Sequence, residues 1–319
     1  MRIGIDIMGG DYAPLETTKG VIAALAELPS SVRLVLFGDR QAIADVFTRE
    51  GADVSKVDIV HTTEVIGMEE HPAKAITQKP DSSISRGFEQ LKKKEIDAFA
   101  GAGNSGAMMV GAMFSVKTIP GILRPAICSV LPKEDGGWGV FLDVGANADC
   151  KPEVLQQFAV LGSVYIENVY KIPNPKVGLM NIGEEEEKGN VLSQATNQLL
   201  KNTKEVNFIG NIEGRDLFNN KADVIVCDGF TGNVILKLAE SFYGIILRRN
   251  IHDTYFDRFN YENYGGTPVL GVNAPVIIAH GISKQRAIKN MIHSTIRITE
   301  AGLTEKISSA LQSTIIQQA

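Results

Sequence analysis

The sequence predicts an α/β protein, a three-layer αβα arrangement around a mostly parallel sheet. Three observations lead there. Short runs rich in Val, Ile, Leu and Phe recur at spacings that leave room for a helix between them. Several of these runs are continuously apolar, as strands buried on both faces are. Six strand ends pass into glycine and small polar residues, in most cases with a helical pattern following, which is how parallel α/β sheets build a ligand crevice.

Taken in order, strands are expected at 2–7, where Ile3, Ile5 and Ile7 stand in an apolar run, then at 33–37, 57–60 and 97–100. Further apolar runs place strands at 125–131, 140–143, 176–182, 206–209, 223–227 and 275–279. Apolar residues at helical spacing predict helices over 15–28, 82–94, 151–168, 191–201, 231–249 and 284–301. The uncharged stretch 98–116 approaches membrane-spanning length, but it holds Gly101, Gly103, Asn104, Ser105, Gly106 and Gly111. It reads as strand, loop and buried helix.

Length and composition set the class. With 319 residues, 44% hydrophobic and 22% charged, the chain suits a soluble globular protein, and no linker, repeat or low-complexity tract divides it. One continuous unit over 1–319 is expected, with room for two lobes around a central cleft. The net charge of −5 argues against nucleic acid and against strong membrane-surface attraction. Cys128, Cys150 and Cys227 stand far apart, without CxxC spacing, which suits a reducing cytoplasm and neither a disulfide framework nor a zinc site. Asp6 interrupts the N-terminus too early for a signal peptide. The run Glu184 to Glu187 reads as a solvated loop, made more interesting by Lys188-Gly189-Asn190 after it.

The candidate chemistry lies at the strand ends. They read Met8-Gly9-Gly10-Asp11, Gly101-Ala102-Gly103-Asn104-Ser105-Gly106, Asp143-Val144-Gly145-Ala146-Asn147, Ile182-Gly183, Asp228-Gly229-Phe230-Thr231-Gly232-Asn233 and His280-Gly281. Glycine lets backbone N–H groups approach an anion, and a following helix adds about half a positive charge. A phosphate-like or carboxylate-like ligand is the expectation. Gly101 to Gly106 matches GxGxxG, yet no acidic residue lies between Gly106 and Glu134, so nicotinamide binding is not expected. No Gly-Lys-Ser or Gly-Lys-Thr, no HxxxH and no Gly-x-Ser-x-Gly occurs, which argues against a P-loop, a catalytic zinc and a serine nucleophile. No metal or other cofactor is expected.

Together these turns carry a resemblance. The chain resembles the phosphate acyltransferases of bacterial phospholipid synthesis, the PlsX family, through Ile3-Gly-Ile-Asp-Ile-Met-Gly-Gly-Asp11, Ala102-Gly-Asn-Ser-Gly-Ala107, Arg124-Pro-Ala126 and Leu142-Asp-Val-Gly-Ala-Asn147. It continues through Lys151-Pro152, Lys188-Gly-Asn190, Asn207-Phe-Ile-Gly-Asn211, Asp228-Gly-Phe-Thr-Gly-Asn233, Asn263-Tyr-Gly-Gly266, Ala274-Pro-Val276 and His280-Gly281. The ordered set covers nearly the whole chain. The resemblance implies a fold like that of isopropylmalate dehydrogenases and phosphotransacetylases, and a homodimer. It implies conversion of acyl-acyl-carrier protein and inorganic phosphate to acyl phosphate and free carrier, with no covalent enzyme intermediate. The product would pass to a membrane-bound glycerol-3-phosphate acyltransferase, from an enzyme that is cytoplasmic or peripheral at the inner membrane face. The alternative is a phosphotransacetylase-like enzyme using coenzyme A thioesters.

The residues expected to act are Lys188, Asp228 and His280. Lys188 would neutralise phosphate or oxyanion charge, and Asp228 would orient Lys188 or the pantetheine. His280 stands either as proton donor to the leaving thiol or in a structural bond to its own loop. Gly9, Gly10, Asp11, Asn104, Ser105, Gly106, Asn147, Gly183, Asn190, Thr231, Gly232 and Asn233 would line the substrate pocket, Thr231 and Asn233 being read equally well as helix caps. Lys92 to Lys94 and Arg248-Arg249 are candidate carrier-docking patches, although the lysines read better as a solvated helix end. Two departures from the family pattern stand out. Thr77 and Pro80 replace basic residues around Lys79, and the segment 240–262 is short where relatives carry a longer apolar hairpin. Its apolar residues then suit a subunit contact better than a membrane.

Overall fold

The computed structural model describes residues 1–316. In chain order the elements are β1 (Arg2–Asp6), α1 (Leu15–Leu25), β2 (Arg33–Gly38), α2 (Arg40–Arg49), β3 (Asp58–His61), α3 (Pro72–Gln78), α4 (Ser83–Lys92), β4 (Ala98–Gly101) and α5 (Ser105–Gly111). Then come β5 (Ala126–Pro132), β6 (Trp138–Leu142), α6 (Pro152–Val169), β7 (Lys176–Met180), α7 (Val191–Lys201), β8 (Asn207–Ile212), β9 (Val224–Val226) and α8 (Gly229–Arg248). The chain finishes with β10 (Thr267–Leu270), β11 (Val276–Ile278), α9 (Gln285–Glu300) and α10 (Leu303–Ile316). It forms two compact units, one of residues 1–117 and 261–300, the other of 118–260 and 301–316.

In the first unit the strand order is β3-β2-β1-β4-β11-β10. All neighbours are parallel except β10, which runs antiparallel to β11 with Thr267 opposite Ile278. Ile3, Ile5, Leu34, Leu36 and Phe99 are fully buried, so the central strands are covered on both faces. Phe99 meets Phe37 and Phe88 edge-on, with centroids 5.7 and 5.1 Å apart. The helix α9 turns Ala287, Ile288, Met291 and Ile292 inward.

In the second unit the order is β5-β6-β9-β7-β8, with β5 antiparallel to β6 and the rest parallel. Pro152 opens α6, which buries Leu155, Phe158, Leu161, Tyr165 and Ile166. Lys133 and Asp223 form an ion pair of 2.6 Å with side chains only 5% and 15% exposed.

All ten expected strands form, most with ends shifted by one or two residues. The strand β10 was not anticipated, because Pro268 argues against a ladder position; its place at the end of the unit's order, next to β11 alone within that unit, accommodates it. The helices α2, α3 and α10 were also not anticipated. The first buries only Ile43, Val46 and Phe47 and depends on its Asp39 cap, whose side chain accepts from Ala42 N at 2.7 Å. The stretch 98–116 forms β4, α5 and a π-helical turn, as expected for strand, loop and helix. The acidic run is the exposed loop its composition suggests, with two surface ion pairs. Glu184 pairs with Lys221 at 2.6 Å and Glu186 pairs with Lys201.

Candidate active site

The expected residues divide between the units, and within each they gather at the carboxyl ends of three adjacent parallel strands. In the first unit these are β1, β4 and β11, carrying Gly9, Gly10 and Asp11, then Asn104, Ser105 and Gly106, then His280. Asp11 N donates to Gly281 O at 2.8 Å, which ties the β1 turn to the β11 turn. Asn104 caps α5 by accepting from Ala107 N at 3.0 Å, and its amide donates to the carbonyls of Gly67, Met68 and Glu70. It therefore anchors the neighbouring 67–70 loop. His280 lies edge-on to Tyr261, ring centroids 5.0 Å apart. Lys79 is committed to Glu70 Oε1 at 2.5 Å and Val65 O at 2.7 Å.

Asp6, at the end of β1, was missed as a site residue. Its Oδ1 accepts from Met8 N at 3.0 Å and Gly9 N at 3.1 Å, shaping the glycine turn. Its Oδ2 is buried without a hydrogen-bond partner among the described residues, and a side chain at Gly9 or Gly103 would strike it. Burial pushes the Asp6 carboxyl up from 3.8 to about 6, against the opposing pull of the two N–H groups. The signal available in the sequence was a single carboxylate inside an apolar strand, three residues before a glycine.

In the second unit the three strands are β6, β9 and β7. Asp143 follows β6 and plays the corresponding part. Its carboxylate accepts from Ile127 N, Ala146 N, Asn147 N and Asn147 Nδ2 at 2.6 to 3.2 Å, and burial raises its pKa against those bonds. Asn147 is buried and also donates to Pro125 O at 2.8 Å, so it braces the turn. Asn233 reaches across from α8 to Val144 O at 3.1 Å. A Cβ on Gly232 would collide with the Asp143 carbonyl, which explains the glycine there.

Asp228 is the cap of α8. Its carboxylate accepts from Thr231 N at 2.9 Å and Thr231 Oγ1 at 2.8 Å. Asn190 caps α7 in the same way, accepting from Ser193 N and Ser193 Oγ at 2.8 Å. Gly183 packs beneath the Lys188 side chain, whose exposed ammonium forms no ion pair among the described residues. The ends of β7 and β9, with the starts of α7 and α8, enclose a cavity of about 460 Å³. Asn190, Asp228 and Thr231 line it, with Asn181 and Ser193. Lys188, Asn147, Gly183, Gly232 and Asn233 do not line it.

Burial holds the thiols protonated. Cys150 is pushed up to about 11, and Cys128 and Cys227 are raised by burial with the Asp143 carboxylate adding to it. None is poised as a thiolate nucleophile. Among the described residues, no group of three or more His, Cys, Asp or Glu side chains is arranged to hold a metal ion.

Comparison with known proteins places this geometry in a family. The profile of the family described as "Fatty acid synthesis protein" matches residues 1–248 and 241–306. A phosphate acyltransferase of Dictyoglomus turgidum is 44% identical over 330 residues, covering 98% of both chains. Another, of Thermoanaerobacterium thermosaccharolyticum, is 44% identical over 331 residues, covering 98% of this chain and 97% of the relative. Among solved structures, a phosphotransacetylase from Streptococcus pyogenes superposes with a TM-score of 0.66 at 17% identity, over 96% of this chain and 94% of its own, so the two share a fold. The chain belongs to the fatty acid synthesis protein family and is one of its phosphate acyltransferases.

Proposed function

We propose that the acyl donor is acyl-acyl-carrier protein, and that the chain transfers its acyl group to inorganic phosphate for glycerophospholipid synthesis. The observation that carries this reading is the end-to-end identity with phosphate acyltransferases. A phosphate oxygen attacks the thioester carbonyl carbon, the C–O bond forms, the C–S bond breaks, and the pantetheine sulfur leaves and takes up a proton. A thiol with pKa about 8.5 is a fair leaving group, so no enzyme nucleophile is needed. What the reaction needs is an oriented phosphate and charge stabilisation on the developing oxyanion.

Lys188 supplies that charge, supported by its unpaired ammonium. Asp228 orients Lys188 or the pantetheine; its carboxylate has acceptor positions left after capping α8. His280 protonates the leaving sulfur. Gly9, Gly10, Gly106, Gly183 and Gly232 let the substrate turns pack closely, with Asp11, Asn104, Ser105, Asn147, Asn190, Thr231 and Asn233 holding their shape. The test is hydroxylamine-trappable acyl phosphate from palmitoyl-carrier protein beside palmitoyl-coenzyme A. Product from coenzyme A alone would sink the carrier reading. Lys188→Ala should lower kcat by about 10² to 10³ with an unchanged melting temperature, and His280→Gln should lower kcat by about 10² or more. Near-normal kcat in either variant removes that residue from the reaction.

The partner surfaces follow from charge and exposure. The carrier is acidic, and Arg248-Arg249 are exposed at the end of α8, whereas Lys93 already pairs with Glu89 at 2.6 Å. The helix α8 is long and apolar enough, by length and composition, to cross a membrane, yet it begins in the capped Asp228 turn. Phe230, Val234, Leu238, Phe242 and Ile245 form one exposed stripe along it. We assign this stripe to the contact of a cytoplasmic homodimer that hands its product to a membrane-bound glycerol-3-phosphate acyltransferase. Leu238→Glu should then convert dimer to monomer in sedimentation analysis; an unchanged mass refutes the assignment.

A further inference from the structure

We infer that the cavity at the ends of β7 and β9 is the acyl-chain pocket, the site that takes the saturated hydrocarbon of the donor. The inference rests on the acyl-transfer reading above and names where the chain goes.

Charge decides the class of occupant. The only charged side chain lining the cavity is that of Asp228, so an anion entering it meets a carboxylate and no cation. The donors that two helix starts would offer an anion are in part already used. Ser193 N and Oγ are given to Asn190, and Thr231 N and Oγ1 to Asp228. Phosphate is therefore disfavoured here. A neutral apolar group is not. The inner wall is Leu155, Leu179, Met180, Leu192 and Ile235, of which Leu155 and Leu179 are buried within the core.

A second observation points the same way. At the mouth, Ile182 is 81% exposed, and beside the lining residues Asn190 and Leu192, Val191 is 85% exposed. Together with the apolar floor, these two side chains give an apolar ligand a continuous path from solvent into the cavity. The volume of about 460 Å³ lies within the range of ligand pockets. The arrangement is thus a buried apolar floor, a polar rim at Asn181, Asn190 and Asp228, and an apolar lip. The Asn190 amide N–H groups have no partner among the described residues, and they stand at the rim where a thioester carbonyl would remain while the chain lies below.

The test uses the full chain and its carrier-linked donors. In the wild type, kcat/KM should rise from butyryl to octanoyl to palmitoyl donors, by up to about fourfold per buried methylene until the pocket is full. Leu192→Trp fills the cavity. It should reduce the palmitoyl rate on the order of tenfold or more, leave the butyryl rate unchanged, and keep the wild-type melting temperature. Leu192→Ala, which enlarges the cavity, should preserve palmitoyl transfer. Equal loss at all chain lengths by a folded Leu192→Trp protein would mean that the cavity holds the reacting groups instead, and no loss at any length would mean that it is unused; either result overturns the inference. Calorimetric binding of S-dodecanoyl-N-acetylcysteamine separates the pocket from the reaction. Binding by the wild type and not by Leu192→Trp supports the pocket even if no acyl phosphate forms from any donor, a result that would refute the proposed function alone. Displacement of this probe by inorganic phosphate overturns the pocket assignment.

Discussion

Asp6→Asn isolates the energetic cost of a carboxylate that shapes a candidate site turn. Asp6 is 1% exposed, and its pKa rises from 3.8 to about 6 because burial disfavours the charged form. The folded state thus binds the proton more tightly than the unfolded chain does. The associated stability is fully present below pH 3.8, is lost as pH rises towards 6, and is absent above it. At about 1.4 kcal/mol per unit, the loss amounts to about 3 kcal/mol, with no discount for solvent screening at so buried a group. Asparagine keeps an oxygen for Met8 N and Gly9 N and removes the titration. Urea unfolding followed by far-ultraviolet circular dichroism should show the wild type losing about 2.4 kcal/mol relative to Asp6→Asn between pH 4 and pH 7, and almost no further difference at higher pH. Parallel pH profiles for the two proteins would refute the reasoning, and a difference of opposite sign would mean that Asp6 is stabilised as an anion.

Two further outcomes are expected. Lys133→Met strands Asp223 as an uncompensated charge and should cost about 3 to 5 kcal/mol in thermal or urea unfolding, while Lys133→Met with Asp223→Leu should recover most of it; additive losses would show that the pair is not coupled. Asn104→Ala removes the α5 cap and three bonds to the 67–70 loop, so it should cost about 1 to 2 kcal/mol and speed proteolysis within that loop; unchanged cleavage would mean that the loop is held by other contacts.

Much of the fold was legible because strands buried on both faces are mostly apolar, as β1, β2, β4, β7 and β9 are. What escaped notice was short or weakly patterned. The strand β10 hides behind Pro268, and α2 and α3 bury too few residues to imprint a helical period. The site was legible at the level of turns and not of roles. Glycine and asparagine after a strand mark a crevice, but the same residues cap helices, and several of those here do so: Asn104, Asn190 and Asp228 each accept from a backbone N–H three residues on. Asp6 and Asp143, though each lies in a quoted motif, were given no role for the opposite reason. They sit in otherwise apolar segments, where their burial, and not their spacing, distinguishes them.

Sequence alone determined the α/β class, the strand-end turns and, through the ordered motifs, the resemblance to phosphate acyltransferases, since these depend on local pattern and on residue order. Tertiary structure decided which turns become neighbours. The strand orders set β1 beside β4 and β4 beside β11, and likewise β6 beside β9 and β9 beside β7, out of sequence order. It also decided that the cavity at β7 and β9 carries a lone carboxylate over an apolar floor. A residue's pKa, its hydrogen-bond partners and the space before it are properties of packing, and residues far apart in the chain supply them.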